Sequence, residues 1–225
     1  MALTLHLHPL SSYCHKVLMA LYENGTTFEA SIVNMMDSDA RAAYLKISPF
    51  GKIPSLTDST RNVTVNETSI MIEYLQQHYP GPQKFIPEDA EAALSARMWD
   101  RIVDHYLHTS MQKIVGDTMR PDGAHDPHGV ADARRTMQTA LDLLEQRLAE
   151  VPHPGGDKFT IADCAAAPPL FYAQAILPYA ESHPRVARYF EALSQRPSFV
   201  RLIGEAKPFF QYFPFVDRLP KRFTA

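Results

Sequence analysis

Only two cysteines, Cys14 and Cys164, occur in the 225-residue chain, and they stand far apart in sequence. That scarcity sets aside a disulfide framework or a cysteine-built zinc site and fits a reducing compartment. Charge of one dominant sign is missing too: 22 lysines and arginines face 25 aspartates and glutamates, for a net charge of -3. So near-neutral a balance leaves no electrostatic footprint for nucleic acid or an anionic membrane. No stretch approaches the ~20 apolar residues of a membrane helix, and no basic segment followed by an apolar run marks a secretory leader. The expectation is a soluble, cytoplasmic protein without internal repeats or low-complexity segments. What is there is an ordinary globular composition, 45% hydrophobic and 21% charged, long enough for two small domains.

Leu3, Leu5 and Leu7 alternate with Thr4, His6 and His8, the period of a strand with one face buried, and Pro9 ends it. From Ser12 the period changes to that of a helix, with Cys14, Val17, Leu18 and Leu21 in one stripe and Asn24-Gly25 as its stop. Phe28, Ala30 and Ile32 suggest a second strand, and residues 39–45 a short helix. Runs at 53–56 and 63–65, separated by a polar turn at 57–60, suggest a hairpin, and Ile70, Met71, Tyr74 and Leu75 a further helix. The order over residues 1–80 is thus β-α-β-α-β-β-α. Pro80-Gly81-Pro82, with Pro87 soon after, opposes both helix and sheet and marks 81–87 as a linker. Residues 88–225 show no convincing strand and read as an all-helical domain. Within it lie a long helical region at 88–115, loops at 121–129 and 151–158, and helices at 185–195 and 198–206. Thr160 and Asp163 have the spacing of a capping box, and the Pro168-Pro169 pair should kink or interrupt the helix that follows.

Three segments carry residues suited to chemistry. Ser11 and Ser12 sit where a strand hands over to a helix, beside unpaired N–H groups and the positive end of the helix dipole. The Ser11-x-x-Cys14 spacing matches a thioredoxin-type redox loop whose attacking cysteine has become serine. Either the hydroxyls only cap the helix, or one donates a hydrogen bond to a thiolate brought by a ligand. The stripe position of Cys14 suits core burial. In Ser48-Pro49-Phe50-Gly51-Lys52-Ile53-Pro54, the Ile53-Pro54 bond is either part of an ordinary turn or cis, turning the Ile53 backbone outward to pair with a peptide-like ligand. At Asn66-Glu67-Thr68-Ser69, fresh helix N–H groups and two hydroxyls make either a plain cap or a carboxylate receptor, with Glu67 placed for an ammonium group. His6 and His8 share one strand face, but no carboxylate or thiol is spaced to complete a site, so no metal is expected.

The order of these motifs resembles that of the cytosolic glutathione S-transferases over nearly the whole chain. "HPLSSYCHKVLMAL" resembles the catalytic loop and first helix of the serine-type, phi/theta/zeta-like classes, and "SPFGKIPSL" the glutathione-backbone loop with its cis-proline. "NETSIMIEYL" resembles the Glu-Ser element that binds the γ-glutamyl end, and "FTIADCAAAPPLF" the capping box and staple of the helical domain. The resemblance implies a thioredoxin-like N-terminal domain binding glutathione, an all-helical C-terminal domain lining the electrophile pocket, and a homodimer engaged in detoxification.

On that resemblance Ser11 is the thiolate-stabilising serine, with Ser12 in reserve, and Cys14 matches a position that is cysteine in some serine-type classes. Ile53 pairs through its backbone with the cysteinyl part of glutathione, Pro54 is the cis-proline, and Glu67 with Thr68 grips the γ-glutamyl end. Lys52, with Arg41, reaches the glycyl carboxylate. Thr68 departs from the family's serine but keeps the hydroxyl. His105 and Tyr106 are candidates to line the electrophile pocket, or else a packed or solvated helix face. The aromatic tail at 207–215 either closes the pocket or covers the domain's own core, the latter favoured because aromatics usually contribute burial. The expected reaction is attack of the glutathione thiolate on a small hydrophobic electrophile. A glutathione-dependent peroxidase or thiol-disulfide oxidoreductase, an isomerase or dehalogenase at the same site, and a non-catalytic binding protein of this fold are the alternatives.

Overall fold

The computed structural model describes residues 2–224. The chain divides into two compact units, with the division between Phe85 and Ile86.

The first unit contains β1 (Leu3–Leu7), α1 (Ser12–Glu23), β2 (Glu29–Ile32), α2 (Ser38–Leu45), β3 (Ser55–Asp58), β4 (Val63–Val65) and α3 (Thr68–His78). Its four strands form one mixed sheet in the order β2-β1-β3-β4, with β1 parallel to β2 and antiparallel to β3. The alternation in β1 is realised: Leu3, Leu5 and Leu7 are buried, and the residues between them are half-buried. In α1, burial extends beyond the expected stripe to His15, Lys16, Met19 and Ala20. The helix therefore has almost no solvated face, and it packs against α3. Asn24 ends α1, and its side chain also clamps Gln83, accepting from its N–H at 2.8 Å and donating to its carbonyl at 3.1 Å. Gln83, just past Pro80-Gly81-Pro82, is thereby fastened to the end of α1.

Two strand expectations need correction. β2 exists, but Ala30 and Ile32 are exposed, because an edge strand has a neighbour on one side only and here lacks cover over its alternate face. β3 begins at Ser55, two residues later than the apolar run suggests, because Pro54 has no N–H for the ladder. The polar turn is likewise displaced. Thr57 and Asp58 still pair with β4, and Asn62 makes the bend with φ of 53°.

The second unit is helical: α4 (Ala90–Ile102), a π-helical turn (Val103–His108), α5 (Thr109–Thr118), α6 (Pro127–Arg147), α7 (Ile161–Ile176), α8 (Pro184–Ser194), α9 (Pro197–Ala206) and a short α10 (Lys221–Thr224), with 3-10 turns at Lys207–Tyr212 and Val216–Arg218. α7 is its axis: every residue but Gln174 is buried. The capping box forms as expected. Asp163 accepts from the Thr160 N–H at 2.7 Å, while the Thr160 hydroxyl accepts from Ala162. Pro168 and Pro169 do not interrupt the helix. Proline's fixed φ is helical, and enclosure of α7 on all sides offsets the two missing N–H donors. Where a loop is expected through Gly129, α6 already starts at Pro127, capped by Asp126 on the Gly129 N–H at 2.8 Å. The aromatic tail packs inward: the ring of Phe210 stacks on Phe171 at 5.9 Å, and Phe213 meets Tyr172 edge-on at 4.9 Å.

The expected long helix at 88–115 contains a feature that periodicity does not announce. In the π-helical turn, Thr109 donates its backbone N–H to the carbonyl of Asp104, five residues back, and its hydroxyl reaches the same carbonyl at 2.8 Å. Arg101 bridges Asp100 and Asp104 at 2.7 and 2.8 Å, so the two buried carboxylates share one guanidinium.

Candidate active site

The β1–β3 register pairs His6 with Ser55, and the β3–β4 register pairs Leu56 with Val65. Three consequences follow from those pairings. The chain leaving β1 toward Ser11, the chain entering β3 from Ile53-Pro54, and the chain leaving β4 toward Glu67 all sit at one end of the sheet. The three segments singled out in the sequence are thus brought together by strand pairing alone.

Ser11 is the N-cap of α1, with φ -71° and ψ 116°, and its Oγ accepts the Cys14 N–H at 3.4 Å. An accepting hydroxyl oxygen still has its own proton to give, so capping and donation to a ligand are compatible. Ser12 is 1% exposed, whereas Ser11 is partly open to solvent. Cys14 is fully buried, and burial pushes its thiol up to about 12, against the lowering effect of hydrogen bonds from Ser11 and the His8 backbone. At neutral pH it is a thiol, a poor nucleophile.

The Ile53-Pro54 bond is cis, and Ile53 stands just ahead of the β3 ladder. A buried polar frame holds the loop before it. Tyr44, the only buried residue of α2, donates its hydroxyl to the Lys52 carbonyl at 2.6 Å, and Ser48 donates to the same oxygen at 3.0 Å. Ser55 joins Tyr44 at 2.9 Å and donates to Asn66 at 2.6 Å, tying this loop to the one before α3. Burial raises the Tyr44 phenol's pKa, opposed by its bonds with Ser55 and Ser48, so the phenol stays protonated and donating. The Lys52 and Arg41 side chains are exposed.

Glu67 is exposed and held at φ 68°, ψ 113°. A non-glycine residue there costs on the order of 1–3 kcal/mol, a strain that collects at functional sites. It precedes an α3 N-terminus at which Thr68 and Ser69 are buried and Glu67 supplies no side-chain cap. Ser69 receives a hydrogen bond at 2.9 Å from Lys16, itself fully buried in α1, so the two helix starts are joined. In the second unit, His105 and Tyr106 are both exposed on the π-helical turn.

Reading the sequence did not single out Tyr44, Ser48, Asn66, His15 or Lys16 as contributors. Tyr44 leaves one trace: a large aromatic in a helix too polar to present an apolar face. His15 and Lys16 leave none, since two polar residues beside an apolar stripe read as a solvated helix edge.

A βαβαββα unit with a serine at its first helix cap and a cis-proline ahead of its third strand defines a thioredoxin-like domain, here followed by a helical one. Two family models match: the glutathione S-transferase N-terminal domain over residues 10–78 and the glutathione S-transferase C-terminal domain over residues 127–192. The chain belongs to the glutathione S-transferase family. It is 25% identical to glutathione S-transferase F13 of Arabidopsis thaliana, over 90% of this chain and 95% of that protein. It is also 26% identical to a stringent starvation protein A homolog of Coxiella burnetii, over 91% and 93% of the two chains. A glutathione S-transferase from Methylobacterium radiotolerans, solved in complex with glutathione sulfonate, superposes with a TM-score of 0.78 at 26% identity, over 88% of this chain and 93% of that one.

Among the described residues, no helix is long and apolar enough to cross a membrane.

Proposed function

We propose that the protein is a glutathione transferase in which Ser11 stabilises the thiolate of bound glutathione for attack on a small hydrophobic electrophile. The observation that carries this reading is Ser11 itself: a half-buried residue at the positive end of α1 whose hydroxyl oxygen accepts the Cys14 N–H and whose proton can turn from the buried Cys14 sulfur to a bound thiolate, the stronger acceptor. The thiol proton leaves to solvent, the thiolate accepts the Ser11 O–H, and the sulfur lone pair forms the new C–S bond as the electrophile's leaving group departs or its π bond opens. Lowering the thiol pKa by one unit requires about 1.4 kcal/mol of preference for the anion, within reach of one hydrogen bond and a helix terminus.

Glutathione itself is gripped, in this reading, by the Ile53 backbone ahead of Pro54, by Lys52 with Arg41 at the glycyl carboxylate, and by Glu67 with Thr68 at the γ-glutamyl end. The strain stored at Glu67 supports that assignment. His105 and Tyr106 are the candidate contacts for the electrophile. Burial of Cys14 and the high pKa of its thiol count against a peroxidase or disulfide oxidoreductase centred on that sulfur. The proposed assembly is a homodimer. Phe50 is 89% and Ile70 55% exposed in the first unit, and Leu94 and Met98, one turn apart on α4, are 62% and 50% exposed, apolar area that suits a partner's surface.

A second reading takes its support from relatives that do not carry a transferase name, stringent starvation protein A homologs at 26% and 25% identity beside glutathione S-transferase F13 at 25%. It is a binding protein of this fold without thiolate chemistry. The ultraviolet difference spectrum of bound glutathione against pH separates the two. A thiolate band titrating well below the free thiol, and moved back up by Ser11→Ala, supports the transferase. Glutathione bound without such a band supports the binding protein.

A further inference from the structure

The backbone of the loop bearing Ser11 is held by two histidines. The Ser11 N–H donates to the His8 carbonyl at 2.9 Å, closing a turn over residues 8–11. Within that turn the Leu10 N–H donates to His8 Nδ1 at 3.2 Å. The Pro9 carbonyl lies 2.6 Å from Nε2 of His15, a residue only 1% exposed in the first turn of α1. A carbonyl can only accept, so that contact fixes the proton of His15 on Nε2. The backbone N–H of the same histidine donates to the Ser11 carbonyl at 3.0 Å. His15 therefore holds the chain on both sides of Leu10, through its ring at Pro9 and through its backbone at Ser11.

We propose that His15 is a positioning residue for Ser11: its Nε2–H, by holding the Pro9 carbonyl, sets where the Ser11 hydroxyl stands relative to the end of α1. The inference rests on the transferase reading of Ser11 and extends it to a residue that touches no substrate. The chemistry makes the dependence sharp, because a hydrogen bond to a thiolate weakens steeply as its angle departs from linearity. A rotation of the 8–11 turn that leaves the fold intact still moves the hydroxyl off the sulfur. Burial of the bond adds to its stiffness, since water cannot substitute for the ring as donor to Pro9.

The test compares His15→Gln, whose amide N–H replaces Nε2–H at similar reach, with His15→Met, of similar length and without a donor. The readout is the pKa of the thiol of bound glutathione, followed by its thiolate absorbance. His15→Met is expected to raise that pKa by about one unit, the size of one lost hydrogen bond, with the affinity for glutathione changed much less. His15→Gln is expected to restore most of the shift. A role in packing alone lowers stability in both variants and moves the thiol pKa in neither, and that result overturns the proposal. In the intact protein, ¹⁵N shifts of His15 must show Nε2 protonated; a proton on Nδ1 alone overturns the proposal even if His15→Met does not fold. An intact protein with no thiolate band overturns the transferase reading and this inference together, whereas a normal band unmoved in His15→Met overturns this inference only.

Discussion

The two units bury polar side chains for different ends. In the first, Tyr44 and Ser48 hold the Lys52 carbonyl, Ser55 holds Asn66, and His15 holds Pro9, so the buried groups fix loop backbone at one end of a sheet. In the second, they tie elements of a helical core to one another. Asp163 accepts from His153 and from Tyr189, each at 2.7 Å, besides its bond to Thr160. The first pattern leaves the ends of elements rigid and outward-facing polar atoms free for a ligand, which suits a recognition surface. The Asp163 cluster of the second pairs buried groups from several elements with one another, which suits stability.

The largest expected effect breaks the second pattern. Asp163→Ala leaves the Tyr189 hydroxyl and the Thr160 N–H buried without their acceptor and removes the Asp163 half of the capping box of α7. It is expected to cost about 3–5 kcal/mol, read as a fall in the unfolding midpoint in urea. Protein that remains folded should bind glutathione with an unaltered thiol pKa. A shifted pKa there would mean that the division of labour between the units is wrong.

Ser11→Ala attacks the first pattern. Loss of one donor to a developing or resting anion is expected to lower kcat/KM for conjugation about 10²-fold. The accompanying loss of stability is expected to be that of an N-cap, about 1 kcal/mol, visible as a small shift in melting temperature. An activity loss no larger than the stability loss implies would leave Ser11 as a cap and nothing more.

A smaller effect sharpens the comparison inside the first unit, where one buried group behaves like those of the second. Asp58 is 1% exposed and accepts from Tyr79 at 2.5 Å, Tyr74 at 2.7 Å and the Thr60 N–H at 2.9 Å. Burial pushes its carboxyl up, but the hydrogen bonds from Tyr79, Tyr74 and the Arg61 and Thr60 backbone outweigh burial and hold the pKa below the ordinary 3.8. Between those two values the unfolded chain holds more protons than the folded one, so stability rises with pH across that window. The contribution is complete above the ordinary carboxylate range and is lost as pH falls through the folded value. On the alkaline side, burial and the bond to Asp58 push Tyr74 from 10.0 up to about 12, so stability falls again across that interval. Tyr79→Phe is expected to cost about 1.5 kcal/mol near neutrality and to raise the midpoint of acid unfolding, with glutathione binding retained. An unchanged acid midpoint would show that Asp58 keeps its low pKa without Tyr79.

Much of this was legible in the sequence, for reasons that the structure makes specific. Leu3, Leu5 and Leu7 show their strand because one face is buried, and the 160–163 box shows its helix because capping is local chemistry. Ser11, Ile53-Pro54 and Glu67-Thr68 stand at element ends, where polar residues keep a fixed spacing from the periodic runs beside them. The supports of those residues were not legible, because Tyr44 to Lys52 and His15 to Pro9 are contacts between elements and no period records them. The π-helical turn was hidden for a related reason: its extra residue is set by the Thr109–Asp104 contacts and the shared Arg101, not by a breaker such as glycine or proline. The continuity of α7 through Pro168-Pro169 depends on enclosure, and enclosure is visible only once the chain has folded.

That same turn sets the smallest expected effect. His105 and Tyr106 are thrust outward on it while Asp104 and His108, their neighbours in sequence, are buried. Tyr106 is 54% exposed, so Tyr106→Ala should change stability by no more than about 0.5 kcal/mol. If the turn exists to aim this residue at an acceptor, the variant changes KM for bulky aromatic electrophiles relative to small ones by several-fold and leaves KM for glutathione alone. If both constants stay fixed, Tyr106 belongs to an ordinary solvated face. The π-helical turn would then be a device of packing, like the other buried polar groups of the helical unit, and the acceptor's contacts would have to be sought on residues that neither period nor exposure picks out.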